Sequence, residues 1–210
     1  MEQLGRYLKG TITEGLILRP TQLSESDDSK HFDIDVFVDA DFASGWATEL
    51  GTNPDSVKSR TGYIIEVMGC PVVWCSKLQG SISTSTMEAE YTALSMALRA
   101  TIPLLHIADA ISKGLKLFAP QKLTFRATIH EDNLGALKLA KLEPGRHTPR
   151  SKFYGLKLHW FRSWLKPNAF HNIDQIDIVH CSTENQKADI LTKALVPIKF
   201  KACRKLSMGW

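Results

Sequence analysis

Residues 32–40 read Phe32-Asp33-Ile34-Asp35-Val36-Phe37-Val38-Asp39-Ala40. Phe32, Ile34, Val36 and Val38 fall on one parity, and Asp33, Asp35 and Asp39 on the other. Successive side chains of a strand point to opposite faces, so this stretch predicts a strand with one apolar face and one acidic face. After a polar loop to about Ser59, residues 62–68 and 72–76 are β-branched and apolar. They are parted by Gly69-Cys70-Pro71 and read as two further strands joined by a tight connection.

Working outward, the period changes. The Ser/Thr-rich run 81–86 offers N-caps for a long helix from about Ser85, with Met87, Tyr91, Leu94 and Leu98 at helical spacing. Pro103 is expected to kink or end it, with a further turn or two to Ser112. Residues 123–129 alternate again, giving a fourth strand. Residues 133–140 form a short helix stopped by Pro144-Gly145, and 151–165 another ended by Pro167-Asn168. Residues 173–179 give the fifth strand and 184–195 the last clear helix, stopped before Pro197. Three strands, then strands alternating with helices, predict an α/β fold: a five-stranded mixed sheet with helices packed on it. On the other side of the first strand, the Pro-, Ser- and Asp-rich residues 20–30 read as a linker, preceded by a piece too short to fold alone.

A chain of 210 residues with 43% hydrophobic and 23% charged residues suits one globular domain, or one plus a remnant of a neighbour. A net charge of +4 does not by itself mark a nucleic-acid binder. Cys70, Cys75, Cys181 and Cys203 show no two-residue gap of a zinc knuckle or redox motif, so reduced cysteines of an intracellular protein are expected. No apolar run approaches the ~20 residues of a membrane span, and the N-terminus lacks a secretory signal, so no membrane partner is expected.

Four carboxylates lie where such a fold exposes side chains: Asp39 near the end of the first strand, Glu88 in the first turn of the long helix, Asp132 past the fourth strand, and Asp189 in the last helix. Two-metal phosphoryl chemistry needs such a set, because two hard divalent cations about 4 Å apart must be held by several oxygens. Spacing alone does not bring the four together, and solvated surface charge is the ordinary state of an Asp or Glu. His130-Glu131-Asp132 is no zinc-protease motif, since no second His follows at helical spacing. Residues 142–168 carry Arg146, Arg150, Lys152, Lys157, Arg162 and Lys166 against one acid, Glu143, with interleaved aromatics. Trp160 and Trp164, four apart, fit a core; Arg146, Arg150 and Lys152 fit a phosphate-tracking surface.

Six stretches, in order, resemble the ribonuclease H domain of copia-type LTR retrotransposon Pol polyproteins. They are Val38-Asp39-Ala40-Asp41-Phe42-Ala43, Ser59-Arg60-Thr61-Gly62-Tyr63, Trp74-Cys75-Ser76-Lys77-Leu78-Gln79, Ser85-Thr86-Met87-Glu88-Ala89-Glu90-Tyr91, Glu131-Asp132-Asn133 and Thr183-Glu184-Asn185-Gln186-Lys187-Ala188-Asp189 with Ile190-Leu191-Thr192-Lys193. One stretch departs: Lys152-Phe153-Tyr154-Gly155 stands where these proteins usually have Lys-His-Ile-Asp, although His159 and Arg162 match. Arg6-Tyr7-Leu8-Lys9-Gly10-Thr11 with Gly15-Leu16 resembles the end of the preceding reverse transcriptase.

The resemblance implies a ribonuclease H-like fold and endonucleolytic hydrolysis of the RNA strand of RNA/DNA hybrids, giving 5′-phosphate and 3′-hydroxyl ends. It implies two Mg²⁺ ions, with Mn²⁺ as a substitute, on Asp39, Glu88, Asp132 and Asp189. Asp41 and Glu90 are the competing acids; Glu90 lies ~200° round the helix from Glu88, so both cannot point into one site. His180 corresponds to a histidine thought to aid water activation or product release, with a strand-end residue as the alternative. Lys77, Gln79, Ser83 and Asn133 are candidates for phosphate or 2′-hydroxyl contacts, Ser83 and Ser85 alternatively for helix caps. The implied organisation is a remnant of reverse transcriptase and linker over 1–30, ribonuclease H over 31–198, and a basic tail over 199–210. The implied setting is an intracellular retrotransposon particle or the nucleus, with the reverse transcriptase of the same polyprotein as partner and a monomeric fragment. A catalytically inactive hybrid-binding or structural module is the alternative.

Overall fold

The computed structural model describes residues 2–21, 31–43, 45–46, 53–115, 124–142, 155–166 and 176–210. At its centre is β1 (His31–Asp41), flanked on one side by β2 (Arg60–Val67) and β3 (Cys70–Leu78) and on the other by β4 (Thr124–Glu131) and β5 (Ile176–His180). The order is β3-β2-β1-β4-β5; β1–β2 and β2–β3 are antiparallel, while β1–β4 and β4–β5 are parallel. This is the five-stranded mixed sheet of the expected ribonuclease H-like class.

The parity of β1 decides its two faces. Ile34, Val36 and Val38 are fully buried and share one core with Ala89, Tyr91, Ala93, Leu94, Ala97 and Leu98 of α2 (Thr86–Leu115). On the opposite parity, Asp33 pairs with Arg126 (2.8 Å) and Asp35 with His130 (2.8 Å), whose ring stacks on Phe37.

Several boundaries differ from expectation. The β2–β3 connection is two residues long, Met68-Gly69, both left-handed (φ 52° and 76°), as a type I′ hairpin requires. Cys70 and Pro71 therefore belong to β3, an edge strand, and a register shift between Ile65 and Glu66 absorbs the proline. Pro103 does not end the long helix. Ala97, Leu98, Ile102 and Leu105 are buried on either side of it, and that packing outweighs one lost backbone bond. Residues Thr86–Gly114 are also long and apolar enough, by length and composition, to cross a membrane, contrary to the sequence reading. In this fold the helix buries its apolar stripe against the sheet.

After β4 come α3 (Leu134–Ala140) and α4 (Gly155–Arg162). Phe161 is fully buried, and Trp160 and Trp164 pack partly buried against the core, as expected. The expected final helix over 184–195 is reduced to one turn, α5 (Asp189–Thr192). The preceding loop is held by long-range bonds instead: the buried Gln186 amide donates to the Val38 carbonyl (2.8 Å) and the His130 carbonyl (3.3 Å). The expected basic tail is a second helix, α6 (Pro197–Met208), with Pro197 in its first turn and left-handed Gly209 after its end. The leading segment meets it. Tyr7 of α1 (Glu2–Gly10) sits edge-on to Phe200, and Ile17 N–H donates to the Met208 carbonyl (3.0 Å).

Candidate metal centre

Asp39 lies beside Gly62 in the β1–β2 register. Gly62 is required there by close approach: a Cβ would stand 2.6 Å from Thr192 Cγ2 and 2.9 Å from Leu191 Cβ. The missing side chain lets α5 lie directly on β2 and sets Asp189 near Asp39. Asp132, one residue past β4, completes the group; Asp39, Asp132 and Asp189 each offer an oxygen within 4.8 Å of the others. Asp39 and Asp189 are fully buried.

Cations already engage this group. Lys193 Nζ donates to Asp39 Oδ1 and Asp189 Oδ1, both at 2.8 Å. Lys199, reaching in from α6, donates to Asp189 Oδ2, and the Thr192 hydroxyl donates to Asp39 Oδ2. Burial raises the pKa of Asp39, and the Lys193 ammonium pulls it back only in part. For Lys193, burial works against the charged form, but the Asp39 and Asp189 carboxylates override it and raise its pKa.

A second group shares Asp132. Glu90, Glu131 and Asp132 also offer oxygens within 4.8 Å of one another. Glu131 is fully buried, and its Oε1 accepts from Asn133 N–H (2.9 Å). Oε2 of Glu131 and Oε2 of Glu90 are buried with no hydrogen-bond partner among the described residues. Burial foremost, then the Glu131, Asp39 and Asp132 carboxylates, push Glu90 up to about 10. Burial likewise pushes Glu131 up to about 8, against the Asn133 N–H and with Asp132 and Asp39 adding to it.

The structure brings together Asp39, Asp132 and Asp189 of the expected ligands and leaves Glu88 out. Glu88 is committed to the start of α2: its Oε2 accepts from Thr84 N–H (2.8 Å) and Thr84 Oγ1 (2.9 Å), and its own N–H donates to Ser85 Oγ (3.2 Å). These bonds close the start of the helix, with Ser85 accepting as its cap. Glu90, on the other side of the helix, faces the carboxylates instead. Asp41 ends β1 opposite Arg60, outside both groups.

Gln79 is a second correction. It is 1% exposed; its amide donates to Thr61 Oγ1 (3.0 Å) and the Ala89 carbonyl (2.9 Å), and it accepts from Ser83 (2.9 Å). It ties β3 to the first turns of α2, and its side chain is buried, as is that of Ser83. Lys77 is exposed on β3. Asn133 is the N-cap of α3, its Oδ1 accepting from Gly135 and Ala136 N–H. His180 is the exposed last residue of β5, opposite Glu131 in the ladder. Arg146, Arg150 and Lys152 lie outside the described residues.

Sequence reasoning missed Glu131, Thr192, Lys193 and Lys199, and set Glu90 aside in favour of Glu88. Signals existed. Glu131 continues the buried parity of Ala127 and Ile129, where a charge is out of place. Glu90 precedes Leu94 by four and so shares its buried stripe, and Lys193 follows Asp189 by four, the spacing of a helical ion pair. Lys199 left no local signal.

A mixed sheet whose central strand ends in clustered carboxylates, with further acids from a helix, the neighbouring strand end and a C-terminal turn, is the arrangement of the ribonuclease H-like fold. No family model matches the chain. Among its relatives are retrovirus-related Pol polyproteins of plant transposons. The chain is 28% identical over 96% of its length to that of transposon RE2 from Arabidopsis thaliana, and 27% identical over 81% to that of TNT 1-94 from Nicotiana tabacum. It spans only 12% and 11% of those proteins. Among solved structures, ribonuclease H1 from Halobacterium salinarum is 14% identical (TM-score 0.47, 76% of this chain and 94% of that one). The compost-derived LC11 ribonuclease H1 in complex with an RNA/DNA hybrid is 17% identical (TM-score 0.44, 76% and 93%).

Proposed function

We propose that this chain is the ribonuclease H module of a retrotransposon Pol polyprotein, hydrolysing the RNA strand of RNA/DNA hybrids with Mg²⁺, or Mn²⁺ in its place. The observation that carries the reading is the convergence of Asp39, Asp132 and Asp189 within 4.8 Å at one end of the sheet. The residues fit hard divalent cations: the donors are all carboxylates, and Oε2 of Glu90 and Oε2 of Glu131 are buried with no hydrogen-bond partner among the described residues. Asp39, Glu90, Asp132 and Asp189 are the ligand set, with Glu90 taking the place first given to Glu88. When bound, two divalent cations would lower the pKa of an attacking water and offset charge on the leaving 3′-oxygen, leaving 5′-phosphate and 3′-hydroxyl ends.

The chain's own residues do the rest. Thr192 and Lys193 orient Asp39, and Gln186 fixes the loop before Asp189 to the ends of β1 and β4. His180, exposed at the end of β5 opposite Glu131 in the ladder, would take the role of aiding water activation or product release. The working partners are the hybrid and the reverse transcriptase of the same polyprotein, the fragment acts as a monomer, and its setting is the intracellular particle or the nucleus.

One observation favours a second reading. Lys193 and Lys199 neutralise Asp39 and Asp189 in place, as suits a module that binds hybrids without cutting them. Labelled RNA/DNA hybrid incubated with the chain and Mg²⁺ or Mn²⁺ separates the two. Cleavage of the RNA strand alone, abolished by chelator and by Asp132→Asn, with duplex DNA untouched, supports the nuclease. Tight hybrid binding with neither metal eliciting cleavage by the folded chain supports the module.

A further inference from the structure

We propose that Glu131 is a fifth carboxylate of the metal centre, which with Glu90 and Asp132 forms the position where the first divalent cation binds. The inference rests on the reading above that the carboxylate cluster holds divalent cations, and it concerns a residue outside the ligand set Asp39, Glu90, Asp132 and Asp189 named there.

Charge is distributed unevenly over the two groups. Asp39 and Asp189 have two ammonium groups between them, from Lys193 and Lys199, and the Thr192 hydroxyl besides. All four of their carboxylate oxygens are engaged. A cation entering there must first displace a lysine. Glu90, Glu131 and Asp132 lie within the same 4.8 Å limit, and no lysine or arginine among the described residues bonds to any of them. Among the described residues their polar contacts are the Asn133 N–H on Glu131 Oε1 (2.9 Å) and the Thr183 hydroxyl on Asp132 Oδ2 (3.3 Å). Oε2 of Glu90 and Oε2 of Glu131 have no hydrogen-bond partner among the described residues, although both residues are more than nine-tenths buried.

A purely structural Glu131 does not explain this. Its one bond, to Asn133 N–H, needs a single carbonyl-type oxygen, which glutamine would supply without a second acid facing Glu90. Two buried acids facing each other are costly in the metal-free fold. A divalent cation reverses that cost, since it needs several hard oxygens at about one distance and neutralises them together. Glu131 projects from the buried parity of β4 and Glu90 from the first turns of α2. A cation held between them also fastens the helix to the strand end, with Asp132 shared between the two positions.

The test is Mn²⁺ titration of the full chain, followed by the electron paramagnetic resonance signal of free Mn²⁺ and by melting temperature. The wild type, Glu131→Gln, Glu131→Asp and Asp39→Asn are compared, and hybrid cleavage is measured in parallel. Glu131→Gln is expected to melt higher than wild type without metal and to weaken the tightest Mn²⁺ binding at least about tenfold. Glu131→Asp, which keeps the charge but withdraws the oxygens, is expected to lose Mn²⁺ affinity too, and it serves if the Gln variant does not fold. Wild-type affinity in either folded variant, or no Mn²⁺ binding by the wild type, overturns the proposal. Cleavage that is lost in Asp39→Asn while the Glu131 variants bind Mn²⁺ normally refutes Glu131 and leaves the nuclease standing. Glu131-dependent Mn²⁺ binding by a chain that cuts no hybrid does the reverse.

Discussion

Glu88 and Glu90 belong to one helix turn but have opposite duties, because two helical residues apart is about 200° of rotation. Glu88 closes the start of α2 with Thr84 and Ser85, whereas Glu90 is 7% exposed and faces Asp132 and Glu131. Neutralising each should therefore have separable effects. Glu90→Gln is expected to lower hybrid cleavage by on the order of a hundredfold, the upper range for disturbing a metal's surroundings, and to leave thermal stability unchanged or raised. Glu88→Gln keeps a capping oxygen and should leave cleavage near wild type, while Glu88→Ala should cost about 1 kcal/mol in denaturant unfolding. Loss of cleavage in Glu88→Gln with normal activity in Glu90→Gln would return the ligand role to Glu88. Gln79 supplies a second contrast. It makes three buried hydrogen bonds joining β2, β3 and α2, so Gln79→Ala should lose about 1–3 kcal/mol of stability. Hybrid affinity, measured by fluorescence anisotropy well below the melting temperature, should not change; a selective fall in affinity would restore Gln79 to the nucleic-acid surface.

Among elements, the contact of α5 with β2 is the one on which the site depends. The Gly62→Ala methyl would collide with Thr192 and Leu191 and with the Ala188 carbonyl at 3.2 Å. Overpacking of this kind costs about 1–3 kcal/mol, and here the element displaced carries Asp189, Thr192 and Lys193. Gly62→Ala is expected to lower the melting temperature and cleavage together, and wild-type cleavage in this variant would mean that α5 need not sit on β2. The same contact marks the limit of what sequence discloses. Local periodicity sufficed for β1, for the start of α2 and for the five strands in order, since each has an apolar face repeating within its own residues. It failed where distant partners decide. Residues 184–188 look helical, but Gln186 is bound by carbonyls of β1 and β4 more than fifty residues away, which leaves α5 a single turn. Pro103 looks like a helix end, yet buried neighbours on both sides carry the helix past it. The metal centre was legible as far as acids at strand ends. Lys199 was not, because it reaches Asp189 only through the packing of α6.

At the scale of the whole molecule, the core holds acids that the metal-free fold cannot ionise cheaply, and stability must follow pH accordingly. Glu90 and Glu131 have ordinary values near 4.5 and are raised in the fold to about 10 and about 8; Asp39 and Glu66 are also raised, foremost by burial. Below about pH 4.5 these glutamates are protonated in both folded and unfolded chains, so their contribution is fully present. Above it the unfolded chain releases protons that the folded chain retains. Folding then takes up protons, and stability declines with rising pH until the folded groups ionise. For Glu131 the decline runs from about 4.5 to about 8 and for Glu90 to about 10. The melting temperature of the metal-free chain is therefore expected to fall between pH 5 and pH 8, and the double variant Glu90→Gln, Glu131→Gln should flatten that fall. Divalent cations bound as proposed would sit on the ionised carboxylates of the folded chain and expel the same protons. Stabilisation by Mn²⁺, about 2.7 kcal/mol at a hundred times its dissociation constant, should hence take progressively less Mn²⁺ as the pH rises. Melting curves at fixed ionic strength, with and without Mn²⁺, decide the matter. A metal-free melting temperature that climbs from pH 5 to pH 8, or a Mn²⁺ effect that weakens over the same interval, would mean that these acids are ionised in the metal-free fold and already matched by cations such as Lys193.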